Sequence, residues 1–248
     1  MEKTMEKKVS ETELKNPYLI RTENLCKIYP IGLTTLTALD DINLTFEKGD
    51  FAGLVGPSGS GKTTLLNIIG SLDAPSKGSA IVMGKKVEKL THREAARLRN
   101  HYIGFIFQTF NLLPVYSVFE NVEFPLLLQS LSPAERKTLV MDALEWVGLA
   151  DRASSKPSQL SGGESQRVAI ARAIVKKPPI VLADEPTANL DAKNSHNIMD
   201  TMVHLNENLK TTFIFATHDE KVMRYLKRII TLNDGKVSKD ERFAGGGK

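Results

Sequence analysis

The stretch Gly56-Pro57-Ser58-Gly59-Ser60-Gly61-Lys62-Thr63 decides the fold. It follows an apolar run, Phe51-Ala52-Gly53-Leu54-Val55, that reads as a buried strand. It precedes Thr64-Leu65-Leu66-Asn67-Ile68-Ile69, which reads as the opening of a buried helix. The spacing G-x-x-x-x-G-K-[ST] between a strand and a helix is that of a phosphate-binding loop. Glycines let backbone N–H groups turn inward and come close to an anion. The helix start adds free N–H groups and a positive dipole end. Lys62 is expected to reach the β- and γ-phosphates of a nucleotide, and the Thr63 hydroxyl to ligate Mg²⁺. Lys-Thr at this offset has no packing role that would account for it.

Working outward, Ile180-Val181-Leu182-Ala183-Asp184-Glu185 is the second decisive piece. A buried apolar strand that ends in two acids places them at the carboxyl edge of a sheet, where open α/β sheets bind ligands. Alone, the pair reads equally well as two solvated charges. Beside a phosphate loop, Asp184 is expected to hold Mg²⁺ through water and Glu185 to polarise an attacking water.

Leu160-Ser161-Gly162-Gly163-Glu164-Ser165-Gln166-Arg167 is the third piece. Ser161 reads as a helix cap with Glu164 as its reciprocal partner, and Gly162-Gly163 opens the backbone to an anion. One nucleotide does not need both loops from one subunit. Two subunits arranged head to tail would give each nucleotide one of each.

The remaining chain reads as α/β around these pieces. Leu19 to Tyr29 and Leu36 to Phe46 read as strands, with Pro30-Ile31-Gly32 and Glu47-Lys48-Gly49-Asp50 as turns. Ser79 to Met83 and Ile103 to Phe107 are further strands, and Thr91-His92-Arg93-Glu94 is a capping box that opens a polar helix to about Asn100. Val118 to Gln129 reads as helical despite Pro125, and Ser132-Pro133-Ala134-Glu135 opens another helix that Gly148 can end. Residues 108–157 therefore form a small helical insert. Strands follow at Ile180 to Ala183, Thr212 to Ala216 and Ile229 to Leu232, with a helix from about Asp191 to Leu209. Asn233-Asp234-Gly235-Lys236 is a hairpin turn. The expected organisation is a tail over residues 1–17, one domain over 18–237 and a flexible tail over 238–248.

Composition bounds the rest. The 248 residues are 41% hydrophobic, enough for a core, and no apolar run nears the roughly 20 residues that span a bilayer. The amino-terminal stretch lacks the apolar segment of a signal peptide. A net charge of +4, from 33 basic and 29 acidic residues, neither demands nor excludes nucleic acid or an anionic membrane. The single cysteine, Cys26, cannot form an internal disulfide and reads as a small buried residue. Trp146 reads as core. His92, His101, His196 and His204 read as structural, with no metal-ligand spacing among them.

Over roughly Leu19 to Lys236 the chain resembles ATP-binding cassette (ABC) ATPases. Gly56–Thr63 matches the Walker A loop, Gln108 the Q-loop, Leu160–Glu164 the signature and Asp184-Glu185 the end of Walker B. Ala188-Asn189-Leu190-Asp191 matches the D-loop, and His218 the switch histidine that follows Phe213–Thr217. The resemblance implies a P-loop NTPase cassette with a RecA-like core, an antiparallel β subdomain and a small α-helical subdomain. It implies ATP and Mg²⁺ as ligands, with Thr63, Gln108 and Asp184 at the metal and Glu185, His218, Gln108 and Lys62 at the reaction. Tyr29 stands where the family stacks a ring on adenine. Gly56 to Thr64, Ser161 to Glu164 and Asp191 are the remaining expected nucleotide contacts.

Ile103–Gln108, Phe110-Asn111-Leu112-Leu113-Pro114, Glu120-Asn121-Val122-Glu123 and Leu182–Asp191 are similar to the lipoprotein-release and macrolide-export branch (LolD-like and MacB-like). Glu164 in place of the commoner glutamine and Ala188 in place of glycine depart from the pattern with little expected effect. The branch implies a homodimer of cassettes that powers integral membrane permease subunits from the cytoplasmic face of the cell membrane, with no nucleic acid. The region Gln108–Leu128 would transmit the motion. A neighbouring cell-division ATPase (FtsE-like) leaves a nucleotide-gated scaffold as an alternative. A soluble ABC ATPase acting on ribosomes or nucleic acid usually needs a coiled coil or two fused cassettes, for which 248 residues leave no room.

Overall fold

A computed structural model describes residues 17–243. The expected amino-terminal tail lies almost wholly outside these residues. The chain enters through two long strands, β1 (Tyr18–Ile31) and β2 (Thr34–Glu47), then β3 (Phe51–Val55), the phosphate loop and α1 (Lys62–Ile69). Next come β4 (Lys77–Val82), β5 (Lys85–Lys86), α2 (His92–Tyr102) and β6 (Ile103–Ile106). The insert holds α3 (Val118–Glu123) and α4 (Pro133–Trp146) and leads into α5 (Gly162–Ile174). The chain closes with β7 (Ile180–Asp184), α6 (Ala192–Leu209), β8 (Thr212–Thr217), the short α7 (Glu220–Met223), β9 (Arg228–Asn233) and β10 (Lys236–Arg242).

Two sheets result. The smaller has order β2-β1-β4-β5 and is antiparallel throughout. The larger has order β10-β9-β3-β8-β7-β6, parallel except for β10 on its edge. All residues of β3 and β8 are buried, as expected of parallel strands covered on both faces. Their alternation divides the core. Phe51, Phe213, Phe215 and Val181 face the side packed by α5, α6 and the insert. Ala52, Leu54, Ile214 and Leu182 face Leu65, Ile68 and Ile69 of α1. Phe51 and Phe215 meet edge-on, ring centroids 4.8 Å apart. Burying each such ring is worth about 1.5–3 kcal/mol.

Local signals set most boundaries. Thr91, Ser117, Ser132 and Ser161 each cap a helix whose third residue is a glutamate that bonds back to the cap. The helix expected over Val118 to Gln129 stops at Glu123 and tightens into a 3₁₀ turn at Phe124–Leu126. Pro125 has no N–H to continue the α-helical ladder. The helix from Pro133 ends as expected, with Gly148 at φ 67° just beyond it. Trp146 is half-buried against the core.

Two further expectations fail. Residues 238–242, read as flexible, form β10, which pairs with β9 as far as Arg242 opposite Arg228. Asp234 and Gly235, at φ 45° and 75°, make the tight turn that returns the chain. The buried Arg228 guanidinium then donates to both carboxylate oxygens of Asp240, at 2.8 and 2.7 Å. Residues 244–248 lie outside the described residues. Cys26 is half-buried rather than buried, because its sulfur accepts from the Asp41 N–H at 3.5 Å beside polar neighbours. No helix among the described residues is long and apolar enough to cross a membrane.

Candidate functional site

The parallel register brings the site together. Val55 pairs with Thr217, and Asp184 pairs with Ala216, so three strands end at one level of the sheet. The phosphate loop, Asp184-Glu185 and His218 leave the sheet there. They line one cleft of about 710 Å³, together with Tyr29, Pro57, Ser58, Gly59, Gly61, Lys62, Thr63, Thr64 and Gln108. Gly56, half-buried, and Ser60, buried, do not line the cleft.

The loop depends on its glycines. Gly56 has φ 148°, and a Cβ there would stand 2.2 Å from the Leu232 carbonyl oxygen. Gly61 caps α1 at φ 99°, where a Cβ would stand 2.6 Å from the Ala38 carbonyl oxygen. The Lys62 ammonium, on a residue only 7% exposed, donates to the carbonyls of Gly56 and Pro57 at 2.8 Å each. Those partners are neutral, so the charge is left for an anion. The first turn of α1 carries no acid, and the buried Ser60 hydroxyl has no hydrogen-bond partner among the described residues. Such an orphan costs about 1–3 kcal/mol. A bound phosphate fits this cradle on each count.

The Thr63 hydroxyl donates to Asp184 Oδ1 at 3.2 Å. Burial raises the Asp184 carboxyl above its ordinary range, and the Glu185 charge adds to this, against lowering by Thr63 and Lys62. A cation beside Asp184 would offset both unfavourable effects. Hydroxyl, carboxylate and the nearby Gln108 form a hard oxygen donor set of the kind Mg²⁺ takes.

Glu185 follows the strand with φ 45°, an uncommon conformation for a residue with a side chain. Its N–H donates to the Ala216 carbonyl at 2.9 Å. Its carboxylate accepts from Thr217 Oγ1 at 3.1 Å and faces His218 Nδ1 at 2.6 Å. Acid and imidazole thus sit as one hydrogen-bonded unit at the cleft's end.

Tyr29 lines the same cleft. Its hydroxyl donates to Asp73 Oδ2 at 2.8 Å, and the Lys27 ammonium lies 4.8 Å from the ring centroid. Burial raises the Asp73 carboxyl, but hydrogen bonds from Lys27, Tyr29 and the Ala74 N–H bring it below its ordinary range. Burial raises the Tyr29 phenol, and Asp73 adds to this. The sequence reading missed Lys27, Asp73 and Thr217 as the groups that hold Tyr29 and Glu185. It placed Asn189 in the D-loop but missed its pairing, in which the amide donates to the Gln108 carbonyl at 2.8 Å. Each of these pairings joins residues distant in the chain, so no local pattern shows it.

The remaining expected contacts are not on this cleft. Ser161 caps α5, and Glu164 accepts from the Ser161 N–H at 2.8 Å and from Arg152 at 3.1 Å. The Ser161 N–H and hydroxyl hold the Glu164 carboxyl below its ordinary range. The side chain therefore serves its own cap and Arg152. Asp191 caps α6 through Asn194, at 2.8 and 2.7 Å. Gly162 and Gly163 stand beside Leu190 and Asn194, so the signature abuts the D-loop rather than the phosphate loop.

Comparison with known proteins agrees with this geometry. The family described as ABC transporter matches residues 39–188. The chain is 47% identical over 223 residues to the lipoprotein-releasing system ATP-binding protein LolD of Pseudoalteromonas translucida, covering 90% of this chain and 96% of that protein. It is 44% identical over 231 residues to the uncharacterized ABC transporter ATP-binding protein MJ0796 of Methanocaldococcus jannaschii, covering 92% of this chain and 98% of that protein. The dimeric post-hydrolysis structure of MJ0796 bound to ADP and Pi superposes with a TM-score of 0.83 at 43% identity, covering 91% of this chain and 99% of that one.

Proposed function

We propose a mechanism on one premise: the chain belongs to the ABC transporter family and is an ATP-binding, ATP-hydrolysing subunit of the LolD-like branch. Two copies work head to tail, each ATP held between the phosphate loop of one and Ser161-Gly162-Gly163 of the other. The observation that carries this reading is the separation of the two phosphate-facing helix starts within one chain, one on the cleft and one beside the D-loop. The dimeric state of the MJ0796 structure supports it.

In each site Lys62 and the loop N–H groups bind the phosphates. Thr63, Asp184 and Gln108 would hold Mg²⁺, which would supply positive charge against the phosphates. Glu185 orients and polarises the attacking water, His218 holds the Glu185 carboxylate in position and contacts the γ-phosphate, and Tyr29 packs on adenine. Positioning and charge stabilisation carry most of the rate in such reactions.

The cassettes drive a permease of the lipoprotein-release or macrolide-export type from the cytoplasmic face of the cell membrane. The region Gln108–Leu128 carries the coupling. Val115, Leu127 and Leu128 there are 74%, 53% and 76% exposed and leave apolar surface for a partner. A groove of about 410 Å³ between Phe105, Phe107, Phe124 and Pro125 lies beside it. The alternative of a cell-division scaffold is not favoured, given the LolD relationship.

Coexpression with a membrane permease of the lipoprotein-release or macrolide-export type tests the reading. The cassette is expected to copurify with it in detergent, and Leu127→Asp with Leu128→Asp to break the complex while leaving the cassette folded. A cassette that never associates with any membrane subunit would remove the transport role.

A further inference from the structure

We infer that Lys85, Lys86, Lys89, Arg93 and Arg97 form a docking surface for anionic phospholipid headgroups. The inference rests on the transport reading above, which brings the cassette to a membrane. All five side chains belong to exposed residues, in β5, the 3₁₀ turn Val87–Lys89 and the first two turns of α2. Their proximity is visible at Glu94, whose carboxylate feels both Lys85 and Arg97. Arg93 and Arg97 are one helical turn apart and share a ridge.

Neither neighbouring acid neutralises the patch through an ion pair. Glu88 turns inward and accepts from the Ser79 hydroxyl at 2.7 Å and the Ala80 N–H at 3.3 Å. Glu94 accepts from the Thr91 N–H at 2.9 Å and hydroxyl at 2.7 Å, as its cap requires. None of the five cations makes a salt bridge among the described residues. Some exposed cations elsewhere do, such as Arg21 with Glu23 and Lys236 with Asp40, while others, such as Lys77 and Lys137, are likewise without one. What sets this surface apart is that five cations gather within residues 85–97, although the whole chain carries only +4.

Position selects the partner. The last turn of α2 joins the patch to the apolar groove, because the Arg99 carbonyl accepts from the Lys176 ammonium at 2.7 Å and Lys176 lines that groove. A permease seated on the groove turns the same side of the cassette toward the bilayer. The exposed surface of α2 is polar, with Leu98 its only fully buried residue, so the helix adsorbs rather than inserts. Between Lys85 and Arg97 there is no Phe, Tyr or Trp and one exposed imidazole, His92, whereas single-stranded nucleic acid is gripped by several stacking platforms. Each cation near an anionic membrane surface contributes about fivefold to partition.

Vesicle cosedimentation with the full chain tests the surface. The wild-type protein is expected to sediment with vesicles containing phosphatidylglycerol, to ignore pure phosphatidylcholine vesicles and to release at high salt. The variant K85A/K86A/R93A/R97A is expected to lose more than about 100-fold of that affinity while keeping ATP turnover and permease copurification in detergent. Equal sedimentation of variant and wild type would overturn the surface, as would absence of wild-type binding or binding to both vesicle types. Preference for a polyribonucleotide over vesicles of equal charge would also overturn it, in favour of nucleic acid. Failure of wild-type copurification with the permease would instead remove the transport reading, whatever the vesicles show.

Discussion

His218 Nδ1 lies 2.6 Å from Glu185 Oε1, although the two residues are 33 positions apart. The contact exists because β7 and β8 are parallel neighbours in register, Asp184 opposite Ala216, so both side chains leave the sheet at one edge. Thr217 holds the second carboxylate oxygen at 3.1 Å. The carboxylate is thereby fixed by two groups from one neighbouring strand end.

Glu185→Gln is expected to bind ATP and turn it over about 10²–10⁴-fold more slowly, the usual contribution of a positioned base. Single-turnover phosphate release measures this. Hydrolysis within about threefold of wild type would reassign the base.

Lys62→Ala is expected to lose nucleotide affinity and activity together. Lys62 carries the buried ammonium of the loop, and its present partners are two neutral carbonyls. A fluorescent-ATP titration decides the point, and unchanged affinity would detach the loop from phosphate binding.

Dimerisation is expected to follow the γ-phosphate. Glu185→Gln with ATP should elute as a dimer in size-exclusion chromatography and with ADP as a monomer. Adding Ser161→Arg should abolish the dimer, since the new side chain would meet the partner's nucleotide. A dimer that forms equally well with ADP would leave the head-to-tail arrangement without its driving charge.

Asp240→Ala is expected to destabilise the fold by about 2–4 kcal/mol, because it strips the buried Arg228 of its paired carboxylate. Arg228 would retain the Thr45 carbonyl at 2.6 Å and a longer contact to Asp50 at 3.5 Å. Lys239→Ala, which removes only an exposed pair with Glu241, is the control and should change little. Urea unfolding curves of the two variants would show the difference, and equal midpoints would mean that β10 is not anchored through Arg228.

Lys176 gives a pH dependence. Burial lowers its ammonium to about 8 from the ordinary 10.5. Between those values the unfolded chain binds more protons than the folded one, so stability rises with pH across the window. The penalty is fully present below the folded value. Lys176→Met is expected to be more stable than wild type by about 1–2 kcal/mol at neutral pH, after the lost hydrogen bond to Arg99 is counted. The advantage should fade as pH rises from 8 toward 10.5. Paired unfolding curves at neutral and alkaline pH check this, and a constant difference would deny the buried charge.

The phosphate loop, the acid pair after β7 and the capped start of α5 were all legible in the sequence because each is a short-range pattern. Glycines at Gly56 and Gly61, a lysine one residue on and an apolar strand before them express local backbone geometry. The capping boxes at Thr91, Ser132 and Ser161 repeat a spacing of three residues, and the structure adds a fourth at Ser117. Pro125 marked a break that the apolar reading overrode, and residues 238–248 read as a flexible tail. Long-range pairing decided the rest. The order β10-β9-β3-β8-β7-β6 puts the phosphate-loop strand between strands from the far end of the chain. That order alone joins Glu185 to His218 and Thr63 to Asp184, and leaves Ser161 beside the D-loop, off the cleft. Arg228 recruits Asp240 and so turns a polar tail into an edge strand. Local propensity extends only a few residues, whereas strand register is set by hydrogen bonds and burial between segments that meet only once the chain has collapsed.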